Sequence, residues 1–263
     1  MAGKDYWDEL WDDEQLPEPV DPRECRLGAH VDRQFHLLFR ELLGRVPPGS
    51  SLLEIGCARS AWLPYFAREF GFAVTGVDYS DRGCEQERRI LSRAGIDGSV
   101  VCADMFSPPS TLVSSFDVVV SFGVVEHFRD TAAAVAAIAR FARPGARVIT
   151  TIPNVSGAIG IVQRLLNPDV YAIHVPLTEH ELAAAHERAG VDVDCCRYFV
   201  STSFGVANLN GLDPALGSVR AKAALHLGLR GFSKAVWALE SRMRPLPATK
   251  ALAAYVVCSG TNQ

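Results

Sequence analysis

Residues 51–78 constrain the fold more than any other stretch of the chain. Ser51-Leu52-Leu53-Glu54-Ile55 is a short, mostly apolar run. It leads into Gly56 and then into a helix-like segment from Ala61 to Phe70. The pattern predicts a buried strand, a tight turn and a helix start. A glycine at the turn lets the backbone bend sharply and lets a ligand approach closely. The helix behind it offers unpaired N–H groups to polar or anionic atoms. Ala73-Val74-Thr75-Gly76-Val77-Asp78 then predicts a second strand that ends in an acid. An ionised carboxylate carries only acceptors, so Asp78 can receive both hydroxyls of a ribose. Strand, glycine turn, helix, strand and acid together make a nucleoside-binding βαβ unit.

A dinucleotide fits this unit poorly. Its fingerprint is G-x-G-x-x-G, whereas Gly56 is followed by Cys57, Ala58, Arg59 and Ser60. A pyrophosphate would meet side chains where it needs bare backbone, which argues against a nicotinamide dehydrogenase.

The rest of the chain continues the alternation. Ser99–Cys102 reads as a third strand followed by Asp104 and Met105, an acid for an adenine amino group beside an apolar wall for its ring. Phe116–Ser121 is a fourth strand, with Phe122-Gly123 at its end. Asp130 is placed to cap the Ala-rich helix 131–141. Arg143-Pro144-Gly145 reads as a turn, and Ala146–Ile152 as a fifth strand. Right-handed crossovers turn this order into a doubly wound parallel sheet, whose ligands sit beyond the carboxyl ends of the strands. Glu54–Gly56, Asp78, Asp104, Ser121–Gly123 and Pro153-Asn154 all fall on that rim. Residues 155–177 then predict a helix and a loop over the site. Thr178 with Glu181 forms a capping box, Val191–Val200 is a sixth strand, 204–250 is an insert with amphipathic helical pieces, and Ala251–Ser259 is the last strand. Two helices precede the sheet. Tyr6, Trp7, Leu10 and Trp11 share one face of the first, which either packs on the surface or forms an aromatic flap over a bound cofactor. The second, 29–43, ends before Pro47-Pro48-Gly49. The organisation expected is an N-terminal helical cap, 1–46, on a catalytic domain, 47–263, with the two inserts forming a lid or a dimer face.

Composition bounds the function. Of the 263 residues 48% are hydrophobic and 21% charged, and the net charge is −4. A basic footprint for nucleic acid is absent, and no run of ~18 apolar residues predicts a membrane span. The first sixteen residues are acidic, without the apolar core of a signal peptide. Seven cysteines without a C-x-x-C pair predict reduced thiols in a cytoplasmic protein and no zinc site. The Ala and Arg content suggests a bacterial source.

From Ser51 to Ser259 the chain resembles the class I S-adenosylmethionine-dependent methyltransferases. The resemblance rests on Leu53-Glu54-Ile55-Gly56, Gly76-Val77-Asp78-Tyr79-Ser80, Ala103-Asp104, Phe116–Val120, Glu126-His127, Arg143-Pro144-Gly145, Ile152-Pro153-Asn154 and the run His174–Gly190. The family's first motif is usually acid-x-Gly-x-Gly-x-Gly, and this chain departs from it at the second and third glycines, where Ala58 and Ser60 stand. The resemblance implies a Rossmann-like α/β fold, a seven-stranded sheet of order 3-2-1-4-5-7-6 with the last strand antiparallel. It implies S-adenosylmethionine bound by Glu54, Gly56, Cys57, Ala58, Trp62, Asp78, Tyr79, Ser80, Asp104, Met105, Ser121, Phe122 and Gly123. Gly56 and its neighbours would face the methionine part, Asp78 the ribose, and Asp104 with Met105 the adenine. A sulfonium methyl is already activated, so the protein mainly aligns an acceptor, with a base where a proton must leave. His127 and His174 are the candidate bases, although Glu126-His127 also reads as a structural pair behind the cofactor. The Glu-His dipeptide is similar to the ubiquinone-type O-methyltransferases, whose Glu-x-x-Glu-His run can bind a cation. Gly123 replaces the first Glu here, so no metal site is expected.

The expected activity is methylation of a small molecule, on oxygen before nitrogen or carbon, in a bacterial biosynthetic pathway, by a monomer or homodimer. The alternatives are an RNA or protein methyltransferase and a binding protein of the same fold without catalysis. The acidic charge argues against RNA. Absence of cofactor binding would favour the non-enzyme.

Overall fold

A computed structural model describes residues 6–8 and 15–263 of the chain. Seven strands form one sheet: β1 (Ser51–Ile55), β2 (Ala73–Asp78), β3 (Ser99–Cys102), β4 (Phe116–Phe122), β5 (Ala142–Pro153), β6 (Val191–Phe199) and β7 (Tyr255–Asn262). Their order is β3-β2-β1-β4-β5-β7-β6. The pairs from β3 to β5 are parallel, and β7 runs antiparallel to both of its neighbours. This is the Rossmann-like topology expected.

Helices cover both faces, so the central strands are buried on both sides and read as continuous apolar runs. Alternation along β1 divides the core in two. Leu53 and Ile55 join Val119 and the residues Val135 and Ile138 of helix α4 (Thr131–Ala139) on one face, where Leu182 of α7 (Glu179–Arg188) also packs. Leu52 faces the other side, with Val118 and Val120 against α1 (His30–Leu43) and α2 (Leu63–Phe70). That second face is mostly aromatic: Phe35, Phe39, Trp62, Tyr65 and Phe66 meet at ring-centroid separations of 5.0–6.5 Å. Helix α1 therefore contributes four buried apolar side chains, Phe35, Leu38, Phe39 and Leu43, to the core under the sheet.

The local signals act where the sequence places them. Thr178 and Glu181 form the reciprocal capping box of α7. Asp130 caps α4 by accepting the Ala133 N–H at 3.0 Å. Pro64 sits in the first turn of α2, where its missing N–H costs nothing. Three elements differ from expectation. Strand β5 begins at Ala142 and runs through the predicted turn at Arg143–Gly145, with a register shift against β4 between Phe116 and Val118. Residues 155–177 hold two short helices, α5 (Ala158–Leu166) and α6 (Pro168–Ala172). The 204–250 insert is dominated by one 24-residue helix, α8 (Gly217–Glu240). It docks through the Phe204 cluster, with Ile159, Val200 and Ala254 buried there and Leu229 packed against them. At its far end Glu240 holds His30 of α1 at 3.0 Å, both side chains buried.

Candidate active site

The turn after β1 is built by Gly56 and Ser60. Gly56 has φ +76°, and a Cβ there would lie 2.5 Å from Val124 Cγ2, so glycine is required twice over. Ser60 stands where the family's third glycine is usual, and its side chain holds the turn together. Its Oγ donates to Glu54 Oε2 at 2.8 Å and accepts the N–H groups of Trp62 and Leu63 at the start of α2. Its backbone N–H donates to Glu87 Oε2 at 2.7 Å, from helix α3 (Asp81–Ala94). Ala58 stands where the second glycine is usual. Gly83 of α3 makes room for it, since a Cβ at Gly83 would lie 2.6 Å from the Ala58 Cβ. The space lost at one position is returned at another distant in sequence.

Asp78 ends β2 with both oxygens oriented by backbone. Oδ2 accepts the Ala58 N–H at 3.0 Å and Oδ1 the Ser80 N–H at 2.9 Å. Burial raises its pKa, and these N–H donors oppose that shift. Behind it, burial pushes Glu54 up to about 8 and Glu87 to about 9. Each acid disfavours charge on the others.

A cavity of about 320 Å³ opens beyond these strand ends. Gly56, Ala58, Asp78, Tyr79 and Gly123 form one part of its wall, and Asp104, Met105, Phe106 and Phe128 an apolar slot at one end. A second cavity, of about 430 Å³, lies between the sheet and the residues of the two inserts. The two share Trp7, Phe122, Gly123 and His127. Of the residues selected from the sequence, Gly56, Ala58, Asp78, Tyr79, Asp104, Met105, Phe122, Gly123 and His127 face the first cavity. Trp62 and His174 face the second. The Cys57 side chain turns inward against Gly76, Glu54 and Ser80 lie behind the wall, and Ser121 is buried with an unpartnered hydroxyl. Trp7 belongs to the aromatic face expected near the N-terminus and walls both cavities. Its ring meets His127 edge-on at 5.0 Å. Leu10 and Trp11 of that face lie outside the described residues.

At the junction of the cavities Glu126, His127 and His174 bring their ligand atoms within 4.8 Å of one another. The His127 and His174 rings are 4.6 Å apart. Each Nδ1 lies on a backbone carbonyl, Ile173 O at 3.1 Å and Val170 O at 2.6 Å, which places the proton on Nδ1 and leaves Nε2 as an acceptor. Burial lowers both pKa values, His127 to about 4. Glu126 is fully buried, neither oxygen bonds to another residue, and burial pushes it up to about 8. No metal site is expected here from the sequence, because Gly123 lacks a carboxylate. The fold supplies a third ligand atom from His174, 47 residues from His127, which no local spacing reveals. Glu126, Phe106, Phe128 and Glu87 are the site residues that sequence reasoning left out. The first belonged to a recognised dipeptide, and the others carry no local signal.

A seven-stranded sheet with this strand order, a glycine turn after β1 and an acid at the end of β2 are the features of a class I S-adenosylmethionine-dependent methyltransferase. A family profile described as "Methyltransferase domain" matches residues 27–207, and the chain belongs to that family. Its cofactor is S-adenosylmethionine, which the cavity suits. Asp78 presents a carboxylate to that cavity, and Met105, Phe106 and Phe128 make an apolar slot beside Asp104. The chain is 28% identical over 139 residues to a ubiquinone biosynthesis O-methyltransferase of Caulobacter vibrioides, covering 52% of this chain and 55% of that protein. It is 25% identical over 174 residues to a dimethylglycine N-methyltransferase of Parasynechococcus marenigrum, covering 65% and 61%. The match thus spans little more than half the length of these relatives. Among solved structures, the geranyl diphosphate C-methyltransferase of Streptomyces coelicolor A3(2), in complex with Mg2+, geranyl diphosphate and S-adenosyl-L-homocysteine, superimposes with a TM-score of 0.62. It is 15% identical, over 99% of this chain and 98% of that one, a likeness of fold.

Proposed function

We propose that the protein transfers the methyl group of S-adenosylmethionine to the hydroxyl of a small acceptor held in the second cavity. The observation that carries this reading is the position of His127 and His174 where the two cavities meet, each with a free Nε2. The sulfonium would lie in the first cavity, with the methionine part near Gly56 and the ribose on Asp78. The acceptor would enter between Trp62, Phe122 and Tyr255, where aromatic walls suit an apolar body. Both histidines are neutral at pH 7, so either can take the hydroxyl proton as the oxygen attacks the methyl carbon and the carbon–sulfur bond breaks. Enclosure by aromatic residues and inserts favours a small molecule over RNA or a folded protein.

Glu126, His127 and His174 also suit a divalent cation. A buried carboxylate without a partner is costly, and a cation would remove that cost. Such an ion would lower the pKa of an acceptor hydroxyl. The test is calorimetric titration with S-adenosylhomocysteine on wild type and Asp78→Ala, followed by methyl transfer from labelled S-adenosylmethionine to phenolic, amine and carbanion-forming acceptors. Tight wild-type binding lost in the variant, with transfer to the phenols, supports the reading. A wild-type protein that does not bind the product overturns it in favour of a non-catalytic relative.

A further inference from the structure

Helix α8 faces the protein with one stripe and leaves two others in solvent. Val219, Ser233, Trp237 and Glu240 are buried at helical spacing, with His226 and Leu229 between them partly buried. Seven-residue steps place Leu225, Phe232 and Leu239 on a second stripe, and each is about half exposed. Ala221, Gly228 and Ala235 lie beside them in the same register, so the stripe is apolar for about five turns. On the opposite flank stand Arg220, Arg230 and Lys234, all exposed and none in an ion pair with another described residue. Residues 216–252 hold seven Lys and Arg residues and a single acid, Glu240, in a chain whose net charge is −4. That acid is turned inward onto His30 and the Leu246 N–H. Met243, Leu246 and Leu252 extend the exposed apolar surface, and Arg242, Arg244 and Lys250 the basic one.

We infer that α8 and residues 241–252 dock on an anionic lipid surface, with Leu225, Phe232 and Leu239 in the interfacial layer and the basic residues on lipid phosphates. A long helix with an apolar stripe, a basic flank and no exposed acid is built to lie in a membrane interface. No helix among the described residues is long and apolar enough to cross a membrane, so the contact is peripheral. A second copy of the chain is a worse occupant. Two-fold pairing through the apolar stripe would leave Arg220, Arg230 and Lys234 unanswered, because the one acid of α8, Glu240, is turned inward. The placement also has a use. Val206, Asn208 and Asn210 wall the second cavity, and they lead into α8 through a short loop. A docked α8 holds that wall near the bilayer, where an acceptor dissolved in lipid could enter. Only this delivery role rests on the small-molecule reading. The docking itself does not.

The test is co-sedimentation of the full chain with mixed phosphatidylglycerol–phosphatidylcholine vesicles and with pure phosphatidylcholine vesicles, alongside sedimentation velocity without lipid. Binding to the anionic vesicles that weakens as salt rises is expected. Arg220→Gln/Arg230→Gln/Lys234→Gln should bind about a hundredfold more weakly, from about fivefold per charge. Leu225→Ser/Phe232→Ser/Leu239→Ser should lose binding. Both variants should keep the wild-type affinity for S-adenosylhomocysteine, which separates lost docking from lost folding. Equal binding to neutral vesicles, no binding to anionic ones, or a dimer that the serine variant splits, each overturns the proposal. Should the serine variant lose S-adenosylhomocysteine, the glutamine variant alone decides.

Discussion

The two cavities lie side by side, and their walls are made differently. On the cofactor side the polar groups are tied to the protein's own backbone. Ser60 joins Glu54, Glu87 and the start of α2, and Asp78 is fixed by two N–H groups, with one oxygen of Glu87 left over. On the side proposed for the acceptor Glu126 has two idle oxygens, Thr151 has an unpartnered hydroxyl, and two inserts form much of the wall. A fixed ligand permits a pre-organised wall, because its hydrogen bonds never change. A wall that serves an acceptor, or a cation, leaves groups to be satisfied only when that partner arrives. The proposed docking helix belongs to the second kind of surface, with its apolar stripe in solvent.

The largest effect that would sharpen this contrast is a split between turnover and binding. His127→Asn is expected to cut kcat by roughly 10²–10⁴-fold while leaving S-adenosylhomocysteine affinity within a few-fold in calorimetry. Burial holds His127 at about 4, so the base is already neutral and kcat/KM should be flat from about pH 5 upward. A limb near ~6.5, the ordinary histidine value, would show that another group is the base. Asp78→Ala should do the reverse. Losing the carboxylate acceptors for two hydroxyls costs on the order of 3 kcal/mol, a hundredfold or more in product affinity. An equal loss of both quantities in either variant would erase the division of labour.

Most of the cofactor half was legible in the sequence because it is made of local signals. A strand, a glycine and an acid at the next strand end are enough to place Gly56, Asp78 and Asp104 on one rim. The parallel, doubly wound sheet followed from the strand–helix alternation and crossover handedness, and the strand order from the family resemblance alone. The second cavity was legible only in part. His174 emerged as a candidate, yet its meeting with Glu126 depends on how residues 155–177 fold back, and a spacing of 47 residues carries no period. The departures from the glycine motif stand in one dimension as unexplained differences from the family at Ala58 and Ser60. In three dimensions Ser60 and Gly83 answer them, each through contacts with residues distant in sequence. Cys57 was selected for its place in the motif, but adjacency does not fix side-chain direction, and it points into the core.

Glu126 tests whether the acceptor wall is unfinished. Its native pKa of about 8 lies above the ordinary carboxylate value, so the folded state holds a proton that the unfolded state has lost. That stability is fully present below ~4.5 and declines as pH rises toward 8. Glu126→Gln cannot ionise and should therefore be more stable than wild type at pH 8, by on the order of a few kcal/mol, with the two converging at acid pH in thermal melts. Addition of manganese or magnesium should stabilise wild type at pH 8 and leave the variant unmoved. A variant less stable than wild type at pH 8 would mean that the carboxylate is already satisfied, and the contrast between the two walls would fail.

The smallest effect probes the cofactor wall where it departs from its family. Gly83 lies in the first turn of α3, and there Gly→Ala ordinarily gains up to ~1 kcal/mol of helix propensity. Here the new Cβ would lie 2.6 Å from that of Ala58 and 3.2 Å from Ser80 Oγ. Overpacking of this kind costs about 1–3 kcal/mol, so Gly83→Ala should lower stability on balance by about 1 kcal/mol and disturb the turn that feeds Asp78. In an Ala58→Gly background the nearest clash is gone, and the same substitution should become neutral or slightly stabilising. The sign change in a denaturant double-mutant cycle is the measurement. Additive effects would mean that Ala58 and Gly83 are not a compensating pair, and that the motif's missing glycine is tolerated for some reason other than the space α3 leaves.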